Sequence, residues 1–157
     1  MSRILIGIDP DVTKSGVAII NGDKKEIYNF DFFELFDFLN QVLLDKGGGE
    51  EILVVIEAGW QNKGNWHAMK RGSAAINAKI GNNTGRNHET GMKIKEMCEY
   101  LEIPFKLVTP KTSKLNAKIF RRITKIESRT NSETRDAMML IFNMKTKWKS
   151  TATYNTL

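Results

Sequence analysis

Two apolar stretches end on an acid. Ile4, Leu5, Ile6 and Ile8 lead to Asp9, and ILVVI at 52–56 leads to Glu57. A third pair, Glu133 and Asp136, stands three apart within ETRDAMMLI. A carboxylate closing a buried strand needs a cation, a metal or a proton beside it. Taken alone, each has an ordinary reading or a weak one. Asp9 precedes Pro10, as turn residues do, and an acid such as Glu133 is common in a first helical turn. Glu57 has no packing reason to close ILVVI, and Asp136 lies beside apolar Ala137 and Met138. If the two strands are parallel neighbours, Asp9 and Glu57 share one sheet edge, the edge where α/β folds place ligands. Glu133 and Asp136 share a helical face, and docking that helix end against the strand ends would unite four carboxylates. Like charges that close raise one another's pKa, so cations must enter. Oxygen donors suit Mg²⁺, with Mn²⁺ as a substitute. Two such ions roughly 3.5–4 Å apart can clamp an in-line phosphoryl displacement.

The elements that must position these acids are legible in outline. Residues 3–9 and 15–20 read as strands, Asn21-Gly22 as a hairpin turn, and 24–30 as the returning strand. DFFELFDFLNQVLLDK has Phe32, Leu35, Phe36, Leu39, Val42 and Leu43 at helical spacing. Asp31 and Glu34 form a capping box, and Gly47 is a stop. Residues 52–57 are a strand. The stretch 58–87 mixes Gly, Asn, Trp and Lys, with one short helix near 67–80 as its only readable element. Ile94, Met97, Cys98 and Leu101 mark a helix over about 88–102, and 105–109 a strand closed by Pro110. A helix is expected from about 113, with Leu115, Ile119, Ile123 and Ile126 inward and Lys114, Lys118, Arg121, Arg122 and Lys125 on a neighbouring face. The last helix is expected over about 132–147, carrying Ala137, Leu140, Ile141 and Met144 inward. Three antiparallel strands followed by strand–helix alternation predict an α/β fold, a mixed five-stranded sheet with helices on its faces.

Composition narrows the class. The chain has 157 residues, enough to bury roughly 70% of its unfolded surface as one domain. One cysteine, Cys98, excludes an internal disulfide, and with only His67 and His88 a Cys/His zinc site is not expected. No apolar run approaches the ~20 residues of a membrane span, and there is no signal-like N-terminus. A soluble, cytoplasmic protein with no membrane partner is the expectation. Residues 1–57 hold 5 Lys/Arg and 11 Asp/Glu, a balance of −6, whereas 58–157 hold 19 and 7, a balance of +12. That asymmetry points to a polyanion for the second part, against the plainer reading of a basic, soluble surface. Gly81, Gly85 and Gly91 lack the strand–GxGxxG–helix context, so no small-molecule cofactor is expected.

The order and spacing of IGIDPDVTKSGVAII, VVIEAGW, VTPKTSK and ETRDAMMLI resemble the RuvC-type Holliday junction resolvases of the RNase H-like superfamily, over Ile4 to Phe142. The resemblance implies one nuclease domain over 1–147 with a polar tail at 148–157, in a bacterial or phage-infected cell. It implies a homodimer that makes paired nicks in branched DNA, leaving 5′-phosphate and 3′-hydroxyl ends. By position, Asp9, Glu57, Glu133 and Asp136 match the catalytic, metal-binding acids. Lys114 and Lys118 match basic residues near the scissile phosphate. Trp60 matches an aromatic that stacks on a base near the junction centre. Lys111, Lys114, Lys118, Arg121, Arg122 and Lys125 complete the implied DNA contacts. Asp11 stands where the family has glycine, which requires either positive φ there or extra charge near the metals. Glu133 stands where aspartate or histidine is more familiar, one methylene longer than Asp.

Several residues carry a plainer reading too. Trp60 fits a core or dimer-interface tryptophan as well as a stacking wedge, and the basic stripe fits a solvated face as well as a phosphate track. Lys63, Lys70, Arg71, Lys79 and Arg86 extend the basic surface. Trp66, Trp148, His67 and His88 read as packing or surface residues, and Met138 and Met139 as core filler. Two other functions compete: a non-catalytic branched-DNA binder of the same fold, and a broader flap or fork nuclease. A binder gains nothing from four acids. An actin-like or sugar-kinase fold also opens on a strand ending in Asp, but it needs two domains with phosphate loops.

Overall fold

The computed structural model describes residues 3–46, 51–62 and 72–144. Five strands form one sheet: β1 (Arg3–Asp9), β2 (Ser15–Asn21), β3 (Lys24–Phe30), β4 (Glu51–Glu57) and β5 (Phe105–Val108), in the order β3-β2-β1-β4-β5. β2 is antiparallel to both β1 and β3, while β4 runs parallel to β1 and β5 parallel to β4. With helices on both faces, this is the mixed five-stranded α/β sheet expected from the sequence. The hairpin turn lies one residue later than expected. Asn21 pairs with Lys24, and Gly22 takes the positive φ of 60° that the tight reversal requires.

Strand alternation divides the core. Ile4, Ile6 and Ile8 of β1, with Ile52, Val54 and Ile56 of β4, face one helical layer. That layer holds α1 (Phe32–Asp45) and the C-terminal half of α2 (Ala74–Tyr100), through Leu35, Leu39, Ile94, Met97 and Cys98. Leu5 and Val55 face the other layer, where α3 (Ala117–Thr124) and α4 (Ser132–Ile141) contribute Phe120, Ala137, Met138 and Ile141. Asp9 has the parity of Leu5, and Glu57 that of Val55, so both acids project toward the α4 side. The C-terminal ends of β1 and β4 lie at the same edge.

The helices differ from expectation in their limits more than in their existence. α1 carries the expected capping box: the Asp31 carboxylate accepts from the amides of Phe33 (3.0 Å) and Glu34 (2.9 Å), and Glu34 accepts from the Asp31 amide at 2.8 Å. Gly47 lies outside the described residues. α2 is one helix of 27 residues where a short helix near 67–80 and a second over about 88–102 were expected; it covers 74–80 of the first, 72–73 lie ahead of it and 67–71 fall outside the described residues. Its first half, 74–87, buries no residue, so it carries no apolar periodicity to read. α3 begins at Ala117, not near 113, because the Asn116 side chain caps it by accepting from the Ile119 amide at 2.9 Å. Leu115 and Lys114 are therefore off the helix. Its inward residues are Phe120 and Thr124, whereas Ile123 is exposed, and Lys125 ends it in the left-handed conformation at φ 63°. α4 stops at Ile141 rather than near 147, since 142–144 are already turn. Residues 145–147 and the expected tail fall outside the described residues, as do Lys63, Trp66, His67, Lys70, Arg71 and Trp148.

Candidate active site

α4 reaches the sheet edge because two glycines let it. A side chain on Gly7 of β1 would collide with the Ala137 carbonyl, and one on Gly16 of β2 with the Glu133 carbonyl. Gly16 is the residue paired with Asp9. The α4 backbone thus lies directly on β1 and β2, and its first turn is fixed beside Asp9. Asn131 caps that turn, accepting from the Thr134 amide at 2.9 Å, while the Thr134 hydroxyl accepts from the Asn131 amide at 3.1 Å. Glu133 and Asp136 are carried there by a helix end that has nowhere else to sit.

Asp9 feels the other three acids. Burial pushes the Asp9 carboxyl up to about 8, and the negative charges of Glu57 and Asp136, with a smaller push from Glu133, add to it. Glu57 is raised chiefly by burial and then by Asp136, with Lys114 opposing. Lys114 stands between the carboxylates. Its ammonium donates to Asp136 Oδ2 at 2.7 Å and lies 3.5 Å from Glu57 Oε2. Burial works against the Lys114 charge, but the Asp136 hydrogen bond and the surrounding acids outweigh it, and its pKa is raised. Lys114 is thus corrected from a helix-stripe residue to a loop residue inside the acid cluster.

The donor chemistry fits a hard divalent cation. Every acid offers oxygen only, and burial first, then the charges of Glu57 and Asp136, raise the Asp9 carboxyl as they would where a cation is the missing partner. As arranged, no three Asp, Glu, His or Cys side chains among the described residues lie close enough to share one ion.

Lys118, Arg121, Arg122 and Lys125 do form a basic surface. Together with Ala117 and Glu127 they line an open groove of about 410 Å³ on α3, where Arg121 meets Glu127 at 3.4 Å. Lys111 is exposed in the loop after β5. Trp60 sits in the 3-10 turn Gly59–Gln61 just past Glu57, and its ring lies against Gly91 of α2 beside Pro10. It is partly buried against the α1/α2 layer.

Three features escaped the sequence. Asp11 does not take positive φ. Its carboxylate accepts from the amides of Thr13 (2.8 Å) and Lys14 (3.3 Å), a side-chain turn that does the work of the missing glycine. Asn87 of α2 staples that loop, accepting from the Val12 amide at 3.0 Å. His88, expected at the surface, lies against Gly59, two residues past Glu57. Neither α2 residue carries a motif, so only the packing of the helix identifies them.

No protein-family model matches the chain, and no curated protein does. Among solved structures, the chain is similar to Thermus thermophilus RuvC in complex with Holliday junction substrate, at 15% identity and a TM-score of 0.48, covering 88% of this chain and 89% of that one. It is also similar to a second Thermus thermophilus RuvC structure, at 15% identity and a TM-score of 0.43, covering 87% of this chain and 90% of that one.

Proposed function

We propose that this chain is a metal-dependent endonuclease that cuts four-way DNA junctions by paired phosphodiester hydrolysis. The observation that carries the reading is the Lys114 ammonium held between Glu57 of β4 and Asp136 of α4 at one sheet edge, where Asp9 of β1 feels the charges of Glu57, Asp136 and, least, Glu133. Asp9 and Asp136 would hold metal, with Glu57 bridging or holding a second ion and Glu133 completing a shell or positioning the attacking water. Bound divalent ions would supply Lewis-acid stabilisation of the attacking and leaving oxygens. Lys114 and Lys118 supply positive charge where charge grows on the non-bridging phosphate oxygens. The α3 groove offers Lys118, Arg121, Arg122 and Lys125 to the DNA backbone, with Lys111 at its approach.

Symmetric nicking calls for two active sites, and we infer a homodimer. Residues 74–87 support this, since that half of α2 buries nothing within the chain and leaves Ile76 48% exposed. Junction preference rests on the sequence resemblance.

The test is cleavage of a labelled synthetic four-way junction beside linear duplex, with magnesium or with chelator. Paired, magnesium-dependent nicks confined to the junction, with 5′-phosphate ends, are expected. Equal cutting of flaps and forks would favour a broader nuclease, and tight junction binding with no cutting in either metal would leave a binder.

A further inference from the structure

The acid cluster already contains a cation, and that cation is part of the chain. Among the described residues, Lys114 is the only basic side chain acting on Asp9. The nearby Arg135 is turned away: its guanidinium donates to the Leu115 carbonyl at 3.0 Å and to the Thr130 hydroxyl at 3.1 Å. The Lys114 ammonium holds a carboxylate from β4 and one from α4 at once, 3.5 and 2.7 Å away. Those oxygens are the ones a divalent ion would need, and two cations cannot share them without strong repulsion.

Lys114 is also placed to leave. It hangs from the loop between β5 and α3, ahead of a pinned point where Leu115 accepts from Arg135 and Asn116 caps α3. Its side chain is 45% exposed, whereas those of Glu57 and Asp136 are each 14% exposed. The acids are the more buried partners, and the lysine has room to rotate about its four-carbon stem.

Resting on the metal-dependent reading, we propose that Lys114 is an internal counter-ion that competes with divalent metal for Glu57 and Asp136. In the metal-free chain it holds the two carboxylates together. When metal enters it is released, and its charge becomes free to meet a substrate phosphate. By linkage, metal must weaken the Lys114 pairing by the factor by which Lys114 weakens metal binding.

Manganese titration calorimetry on the full chain without DNA tests this. Lys114→Met should bind Mn²⁺ roughly five- to a hundredfold more tightly than wild type, and Lys114→Arg, which keeps the charge, should stay near wild type. Lys114→Gln replaces Lys114→Met if the latter fails to melt cooperatively. A second readout is acylation by an amine-reactive ester, followed by mass spectrometry. Adding Mg²⁺ should raise Lys114 labelling severalfold and leave exposed Lys118 unchanged. Equal or weaker Mn²⁺ binding by the methionine and glutamine variants, with Lys114 labelling indifferent to Mg²⁺, overturns the competition while leaving a metal enzyme intact. Absence of Mn²⁺ binding in every variant sinks the metal-dependent reading itself and the competition with it.

Discussion

Asp9 is stable only as a compromise. Its folded-state pKa of about 8 stands above the ordinary value of 3.8, so the folded chain takes up a proton that the unfolded chain does not. Metal-free stability should therefore fall as pH rises from about 4 to about 8. Asp9→Asn removes that titration. In chelator its melting temperature should exceed wild type at pH 8, by about 2–4 °C for each kcal/mol relieved, and the pH slope should flatten. The same variant should lose junction cleavage, so stability and activity move in opposite directions. Thermal melts at pH 5 and pH 8, beside the cleavage assay, check both halves. Under the proposed function Trp60 would pack the fold and stack on DNA, and the two roles are separable. Trp60→Ala opens space against Gly91 and Pro10 and should cost about 2–4 kcal/mol in urea unfolding. Trp60→Phe should recover most of the stability, and a cleavage defect that persists in it would isolate the stacking role.

At the scale of elements, the site depends on how closely α4 approaches the sheet. Gly16→Ala sets a methyl group against the Glu133 carbonyl, where backbone must shift, and should destabilise by about 1–3 kcal/mol or more. Because the displaced turn carries Glu133, junction cleavage should fall further than the loss of folded protein explains, as read from urea unfolding and activity on one preparation. α3 makes a different contribution. Single alanine substitutions at Lys118, Arg122 or Lys125 should leave stability nearly unchanged and reduce the salt slope of junction binding by about 0.9 for each phosphate no longer neutralised. Fluorescence anisotropy between 50 and 200 mM salt measures it. The limits of these elements were hard to read from sequence for a physical reason. Lys114 continues the i, i+4 spacing of Lys118, so periodicity assigns both to one helix, whereas the Asn116 cap and the pull of Asp136 separate them.

The whole molecule has two unlike surfaces. The basic groove lies on the α3/α4 side, while α1 on the other exposes Phe33 and Leu44 beside Glu34, Asp37 and Asp45. The first half of α2 has no fully buried residue, only the half-buried Asn77, Ile80, Thr84 and Asn87. Under the homodimer reading, the chain should sediment at roughly twice its 17.9 kDa, and Ile76→Asp should shift it toward monomer while leaving Asp9-dependent Mn²⁺ binding in place; analytical ultracentrifugation reads the first and calorimetry the second. The five strands, their mixed directions and their succession along the chain were legible in the residues alone, and four acids stood out as candidates there. Alternation in ILIGID and ILVVIE sets which residues face each layer, and an acid at the end of a buried strand is visible without coordinates. Only the tertiary structure decided that Lys114 enters the acid cluster, that Asp11 builds a turn in place of glycine, that Trp60 lies on Gly91, and that α2 is one helix rather than two. Each of these depends on contacts between residues far apart in the chain, or on a half-helix whose packed side is only half-buried and largely polar, and neither leaves an apolar period in the sequence.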